Sequence, residues 1–129
     1  MHQSAFGVFL RKLREKRGLS LRELAQLAGI DHAYLHRLET GAKEAPSAEV
    51  LSKLTRALKA PQREAEMLRY LAENPAVGTG PAEYALDDQT VTPHELAILA
   101  GVAYRGPIRR DYKTVLDRIR RMLGDEGHG

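Results

Sequence analysis

A short stretch beginning at His32 separates apolar side chains from side chains that can contact bases. At about 100° per residue, one helical face would carry His32, Ala33, His36, Arg37 and Thr40. The opposite face would carry Tyr34, Leu35 and Leu38. Imidazole, guanidinium, hydroxyl and methyl groups contact base edges in the major groove, and arginine on guanine is the commonest specific contact. Because ordinary exposed faces more often carry Glu and Lys, the pattern predicts a recognition helix, with Arg37 as the first candidate for a base contact.

The two histidines four residues apart could instead hold a metal ion. The zinc-protease pattern requires a glutamate directly after the first histidine, and this position is Ala33. No third ligand stands at a suggestive spacing, and there is no cysteine. Nor does any nucleophile, base and orienting group occur together, or a glycine-rich phosphate loop. We therefore expect no metal, no cofactor and no enzymatic activity.

The segment before the predicted recognition helix is a second short helix. Ser20 and Glu23 have the spacing of a capping box, and Gly29 is typical of a helix end. The residues expected to face the core are Leu24, Leu27 and Ala28. Asp31 can cap the recognition helix, which would end at Gly41. A short helix, a tight turn and another short helix form a helix-turn-helix motif.

Three further helices are predicted around this motif. Apolar residues at helical spacing mark the first helix, and they are Phe6, Phe9, Leu10 and Leu13. The fourth begins at Ser47, and the fifth runs from Pro61 to Asn74. No segment alternates with period two, so we expect no sheet. Residues 1–74 are thus predicted to form a five-helix domain in an all-α protein.

The positive charge of the chain lies in this first half. The net charge is +3 overall. Residues 1–73 hold 13 Lys and Arg against 9 Asp and Glu, whereas residues 74–129 hold 7 against 8. A basic surface favours a polyanion, since phosphate neutralisation releases counterions. The same excess of Lys and Arg would also arise if these residues only formed a solvated helix face.

A glycine- and proline-rich segment, residues 75–81, is predicted to be a linker. Residues 82–129 would form a smaller helical domain. One helix begins at Thr92-Pro93, and another, from about Tyr112, carries the apolar stripe Val115, Leu116, Ile119, Met122 and Leu123. So small a unit cannot bury that stripe alone, so we expect it to form the dimer interface of a homodimer.

The composition also bears on the cellular location of the protein. The chain has 43% hydrophobic residues, no apolar run of membrane-spanning length, and no signal-peptide pattern at its start. We therefore expect a cytoplasmic protein with no membrane partner.

Residues 6–71 resemble the Cro/C1-type (XRE-like, phage-repressor-like) helix-turn-helix family. The resemblance rests on Leu13-Arg14 with Gly18-Leu19-Ser20, Leu24-Ala25 with Ala28-Gly29-Ile30, Tyr34-Leu35 with Arg37-Leu38-Glu39-Thr40-Gly41, and Pro46-Ser47. It implies a repressor of transcription bound to a double-stranded DNA operator. It also implies that Arg14 pairs with Glu39, that base contacts come from His32, Ala33, His36 and Arg37, and that phosphate contacts come from Arg11, Arg22, Thr40 and Lys43. Many family members have glutamine where this chain has Leu21, so we expect no DNA contact from that side chain.

Residues 92–123 resemble the C-terminal domain of the DdrO-type DNA-damage-response repressors of the deinococci. The matching segments are Thr92-Pro93-His94-Glu95-Leu96, Arg105-Gly106 and Arg110-Asp111 to Arg121-Met122-Leu123. This resemblance implies dimerisation, and inactivation by a separate metalloprotease that cuts between Tyr104 and Arg105, within a predicted exposed loop of residues 104–110. The alternative is an antitoxin-type autoregulator whose C-terminal part binds a protein partner.

Overall fold

The computed structural model describes residues 3–43, 46–105 and 111–127 and contains only helices there, which confirms the all-α class. The helices are α1 (Ala5–Lys16), α2 (Leu21–Ala28), α3 (His32–Thr40), α4 (Ala48–Ala57), α5 (Gln62–Glu73), α6 (Thr79–Asp87), α7 (Pro93–Arg105) and α8 (Tyr112–Gly127). None of these helices is long and apolar enough to cross a membrane.

Side-chain caps begin the first four helices. Ser4, Ser20, Asp31 and Ser47 each accept a hydrogen bond from a backbone N–H in the first turn of α1 to α4. Such caps satisfy donors that a helix cannot pair internally. Gly29 ends α2 with φ 69° and Gly41 ends α3 with φ 84°, a left-handed conformation that favours glycine. The predicted boundaries of the helix-turn-helix are therefore confirmed.

The prediction that Leu27 faces the core is wrong, because this residue is 62% exposed. The buried residues of α2 are Leu24, Ala25 and Ala28. At about 100° per residue, Leu27 lies roughly a third of a turn from the centre of that buried arc. The short apolar pattern alone did not distinguish these positions.

The predicted linker is also partly wrong, since α6 begins at Thr79 and residues 79–81 form its first turn. Pro81 fits there because the first N–H groups of a helix have no internal partner. A Cβ on Gly80 would collide with the hydroxyl of Tyr112, so this glycine permits the Tyr112 side chain to pack closely on α6. The glycine and proline of this segment therefore belong to a helix start.

One core connects the two halves of the chain. Buried residues of α1 to α5, such as Phe9, Leu35 and Leu68, belong to the same cluster as Leu86 of α6 and Leu116 of α8. Helix α6 packs on α1, and α7 packs on α5. The described residues thus do not separate into two independently packed domains.

The C-terminal helices are joined by a clamp at Arg120. Thr92 and Glu95 form a capping box at the start of α7. Arg120 of α8 donates to both carboxylate oxygens of Glu95 at 2.8 and 3.2 Å, and to the carbonyl of Thr90 at 3.1 Å. The hydrogen bonds from Arg120 hold the pKa of Glu95 below its ordinary value.

Helix α7 includes the first two residues of the predicted exposed loop, residues 104–110. It reaches Arg105, directly before Gly106-Pro107 in the sequence, and residues before proline disfavour the helical conformation. Tyr104 and Arg105 therefore belong to the backbone of the last turn of α7 and not to a loop. Their side chains, and residues 106–110, lie outside the described residues.

Candidate nucleic-acid interface

The geometry of α2, its turn and α3 is that of a helix-turn-helix. After Gly29 the chain turns back on α2, and the N–H of Ile30 donates to the carbonyl of Ala25 at 3.0 Å. Asp31 then caps α3 through the N–H of Tyr34 at 3.2 Å. The turn therefore places α3 against α2 with a short connection.

Helix α3 buries one side and exposes the other. Leu35 and Leu38 are fully buried, and the side chains of His32, His36 and Arg37 are exposed. Ala33 and Thr40 are half-buried at the margins of that face. Readout of the major groove requires hydrogen-bond donors and acceptors on the exposed face of a helix whose other face is packed on the protein.

A bidentate ion pair attaches α1 to α3. Arg14 Nε donates to Glu39 Oε2 at 2.7 Å and Nη2 donates to Oε1 at 3.0 Å, while Nη1 donates to the carbonyl of Leu19 at 2.9 Å. The side chains are 13% and 4% exposed, respectively. The hydrogen bonds to Glu39 raise the pKa of Arg14 above its ordinary value. This geometry is planar and directional, so it fixes the angle between α1 and α3.

Gly7 is a second contact between these helices, and the sequence analysis missed it. A Cβ at this position would lie 2.5 Å from the carbonyl oxygen of Glu39 and 2.6 Å from that of Leu38. Both atoms belong to the backbone and cannot rotate away. The only sequence signal was a glycine inside a strongly helical pattern, which often marks close packing.

The start of α2 is well ordered by its capping box. Ser20 Oγ accepts from the N–H of Glu23 at 3.0 Å, and Glu23 accepts from the N–H of Ser20 at 2.8 Å. The hydrogen bond that its carboxylate accepts from the N–H of Ser20 is the main cause that lowers the pKa of Glu23. Leu21 is half-buried and packs against the core cluster.

Three of the four residues predicted to contact phosphate line grooves beside α3. A groove of about 730 Å³ is lined by Arg11, Leu21, His36 and Thr40, among others. A smaller groove of about 190 Å³ has Arg22 and His32 in its wall.

Of these candidates, Arg11 is exposed and pairs with Glu15 at 3.4 Å. Thr40 Oγ1 donates to the carbonyl of Arg37 at 3.3 Å. Lys43 is exposed, and its N–H donates to that same carbonyl at 3.1 Å.

The residues of the predicted dimerisation stripe on α8 differ in how far they are buried. Leu116 is 1% exposed and belongs to the chain's own core. Val115 and Ile119 are half-buried, whereas Met122 and Leu123 are 62% and 38% exposed. The stripe is thus partly covered within the chain, and its C-terminal end is open.

The first half of the chain is similar to known helix-turn-helix proteins. Residues 5–68 match the family described as a helix-turn-helix domain. An HTH-type transcriptional regulator of Mycobacterium tuberculosis is 42% identical over 53 residues, which are 41% of this chain and 37% of that protein. The HTH-type transcriptional repressor RghR of Bacillus subtilis is 40% identical over 57 residues, 44% of this chain and 42% of RghR.

Among solved structures, the restriction-modification controller protein C.AhdI of Aeromonas hydrophila is similar. It shares 39% identity with this chain and has a TM-score of 0.44, covering 47% of this chain and 91% of its own. The chain spans 37% and 42% of the length of the two curated relatives above.

Residues 5–68 are thus a helix-turn-helix domain, the class predicted from the recognition face and the turn. More particularly, its relatives are HTH-type transcriptional regulators, among them a repressor. Regulators of this kind bind DNA and are not enzymes.

Proposed function

We propose that this chain is a transcriptional repressor that binds a pseudo-palindromic operator in double-stranded DNA as a homodimer. The observation that carries the proposal is α3, which exposes His32, His36 and Arg37 together while its other side is buried. Symmetric dimers of helix-turn-helix proteins read two half-sites spaced by one helical turn of DNA or multiples of it. Selection of bound DNA from a random pool would test this directly, because a palindrome should emerge.

The contacts are divided between bases and phosphates. Base contacts come from His32, Ala33, His36 and Arg37, and phosphate contacts come from Arg11, Arg22, Thr40 and Lys43. The first group lies on the exposed face of α3 and its margin. The second group lies around that face, as expected for residues that fix the register of a protein on its duplex.

Replacement of Arg37 by alanine is expected to weaken operator binding by about 1–3 kcal/mol and to relax the preference at one base position. The side chain is exposed, so its removal should not destabilise the fold. The affinity for the operator and for single-base variants of it, measured by fluorescence anisotropy, tests the assignment. Unchanged affinity and preference would show that the recognition helix is assigned wrongly.

Lys43→Ala or Arg11→Ala is the matched control for Arg37→Ala. Each should weaken binding to all sequences and reduce the slope of log K against log salt by about one, because one phosphate contact is lost. A base-specific loss in these variants would contradict the division of roles.

The homodimer is supported by the open end of the α8 stripe. Met122 and Leu123 are exposed large apolar side chains. A second copy of this surface would cover them in a symmetric contact. Two linked half-sites would then raise operator affinity through effective concentration.

Release of the operator is proposed to follow cleavage between Tyr104 and Arg105 by a metalloprotease, as the C-terminal resemblance implies. Such a cut would break the covalent link between α7 and α8 and so allow α8, which carries the proposed dimer contact, to dissociate. The competing interpretation is that the arginines of residues 105–110 contact solvent or DNA phosphate.

Incubation of the full chain with the companion metalloprotease and its metal is expected to yield a fragment ending at or near Tyr104, with loss of operator binding. Mass spectrometry identifies the cut, and an operator-binding assay on the same sample measures the consequence. An intact 129-residue chain, under conditions in which the protease cuts its known partner, would refute the cleavage hypothesis.

A further inference from the structure

Arg63 of α5 joins the helix-turn-helix half to the segment at the end of α6. Its guanidinium is half-buried and donates to three backbone carbonyls, with Nε on Val91 at 2.6 Å and Nη2 on Ala85 at 2.5 Å and on Asp88 at 2.9 Å. Nη1 donates to the buried carboxylate of Glu64 at 2.8 Å. One side chain thus binds the last turn of α6 and the loop that leads to α7.

A second cation holds the same helix end. Lys16, the last residue of α1, donates from Nζ to the carbonyl of Leu86 at 3.3 Å. The last carbonyls of a helix have no partner within it, and positive charge there is favoured by the helix dipole. Helix α6 has no basic residue in its own last turn. The two cations from α1 and α5 therefore supply the positive charge at its C-terminal end.

Helix α1 therefore lies between α6 and the recognition helix. On one side, buried Ala82, Ala85 and Leu86 of α6 join the core on which α1 also packs. On the other side, Gly7 and Arg14 hold α1 to α3 through backbone contact and the Glu39 ion pair. Packed elements transmit displacement because the interior is close to crystal density. A shift of α6 would thus change the position of α3.

We propose that the DNA-binding unit of this chain extends beyond residue 74 to include α6, and that Arg63 is a positioning residue for operator recognition. Arg63 acts by fixing α6 against α1 and not by contacting DNA. The proposal rests on the proposed function, since it concerns how firmly the recognition helix is held for the operator. It also means that the proposed cut in the last turn of α7 leaves the contacts of Arg63 and Lys16 with α6 in place, whereas a cut before Thr79 removes them.

The test uses the full chain with Arg63→Ala, and Arg69→Ala as control. Arg69 is an exposed arginine on the same helix. Arg63→Ala is expected to weaken operator binding by about tenfold, a typical coupling between sites, at a temperature where circular dichroism shows complete folding. The slope of log K against log salt should not change, because no phosphate contact is lost. Amide exchange should accelerate in residues 82–88 in this variant only.

Arg63→Lys should restore affinity only in part, because one ammonium cannot reach three carbonyls in the fixed geometry of a guanidinium. If Arg63→Ala does not fold, Lys16→Met removes a single carbonyl contact and should give a smaller loss with the same unchanged slope. Unchanged affinity despite faster exchange in α6, or a slope reduced by about one, would overturn the proposal. Wild-type chain that binds no palindrome would instead contradict the proposed function itself.

Discussion

Replacement of Glu39 by alanine is expected to lower the free energy of unfolding by about 3 kcal/mol, near the lower end of the range for breaking a buried ion pair. The variant leaves Arg14 with its charge at a site where its side chain is 13% exposed. Two hydrogen bonds, at 2.7 and 3.0 Å, are lost at once. Chemical denaturation followed by circular dichroism measures the change, and the melting temperature should fall by roughly 10 °C.

Glu49→Ala is the matched control for this substitution. Glu49 is an exposed carboxylate that pairs with Lys53 at 3.6 Å on the surface of α4, and such pairs contribute about 0–1 kcal/mol. The double variant Arg14→Met with Glu39→Leu should recover part of the stability, since apolar side chains can replace a buried pair. Equal losses for Glu39→Ala and Glu49→Ala would contradict the structural role of the pair.

The fold of the first half could be predicted because its signals are local. Caps such as Ser20 and Asp31 act within three residues of their own position, and Gly29 and Gly41 stop helices by their own backbone conformation. Helical spacing then separates the buried side of α3 from the exposed one. The recognition face followed from the same periodicity, so its exposed residues could be named before the structure.

The remaining features depend on contacts between residues distant in sequence. The sequence shows Gly7 only as a glycine within a helix, and its role depends on the backbone of α3 beside it. Likewise, nothing in the sequence near Arg63 indicates that this side chain binds the carbonyls of residues 85–91. Leu27 completes an apolar pattern, yet it is 62% exposed. The glycine and proline of residues 78–81 indicate a linker locally, and only packing on α1 and Tyr112 makes them a helix start.

The double substitution Met122→Asp with Leu123→Asp is expected to make the chain monomeric and to weaken operator binding by about 100-fold or more, because avidity from linked half-sites is lost. Both side chains are exposed at the C-terminal end of the α8 stripe, so two charges there should not disturb the chain's own core. Leu116 is unsuitable for this test, because it is buried in that core. Light scattering should report the 14.4 kDa mass of one chain in place of twice that mass.

Arg121→Asp provides the control, since it introduces an acidic residue on the opposite face of α8 at about 100° per residue and its side chain is exposed. This variant should remain dimeric and bind the operator nearly as well as the wild type. A dimeric Met122→Asp, Leu123→Asp chain would place the interface elsewhere. A monomeric one with undiminished operator affinity would show that the two half-sites are not bound jointly, because effective concentration contributes only when both recognition helices belong to one assembly.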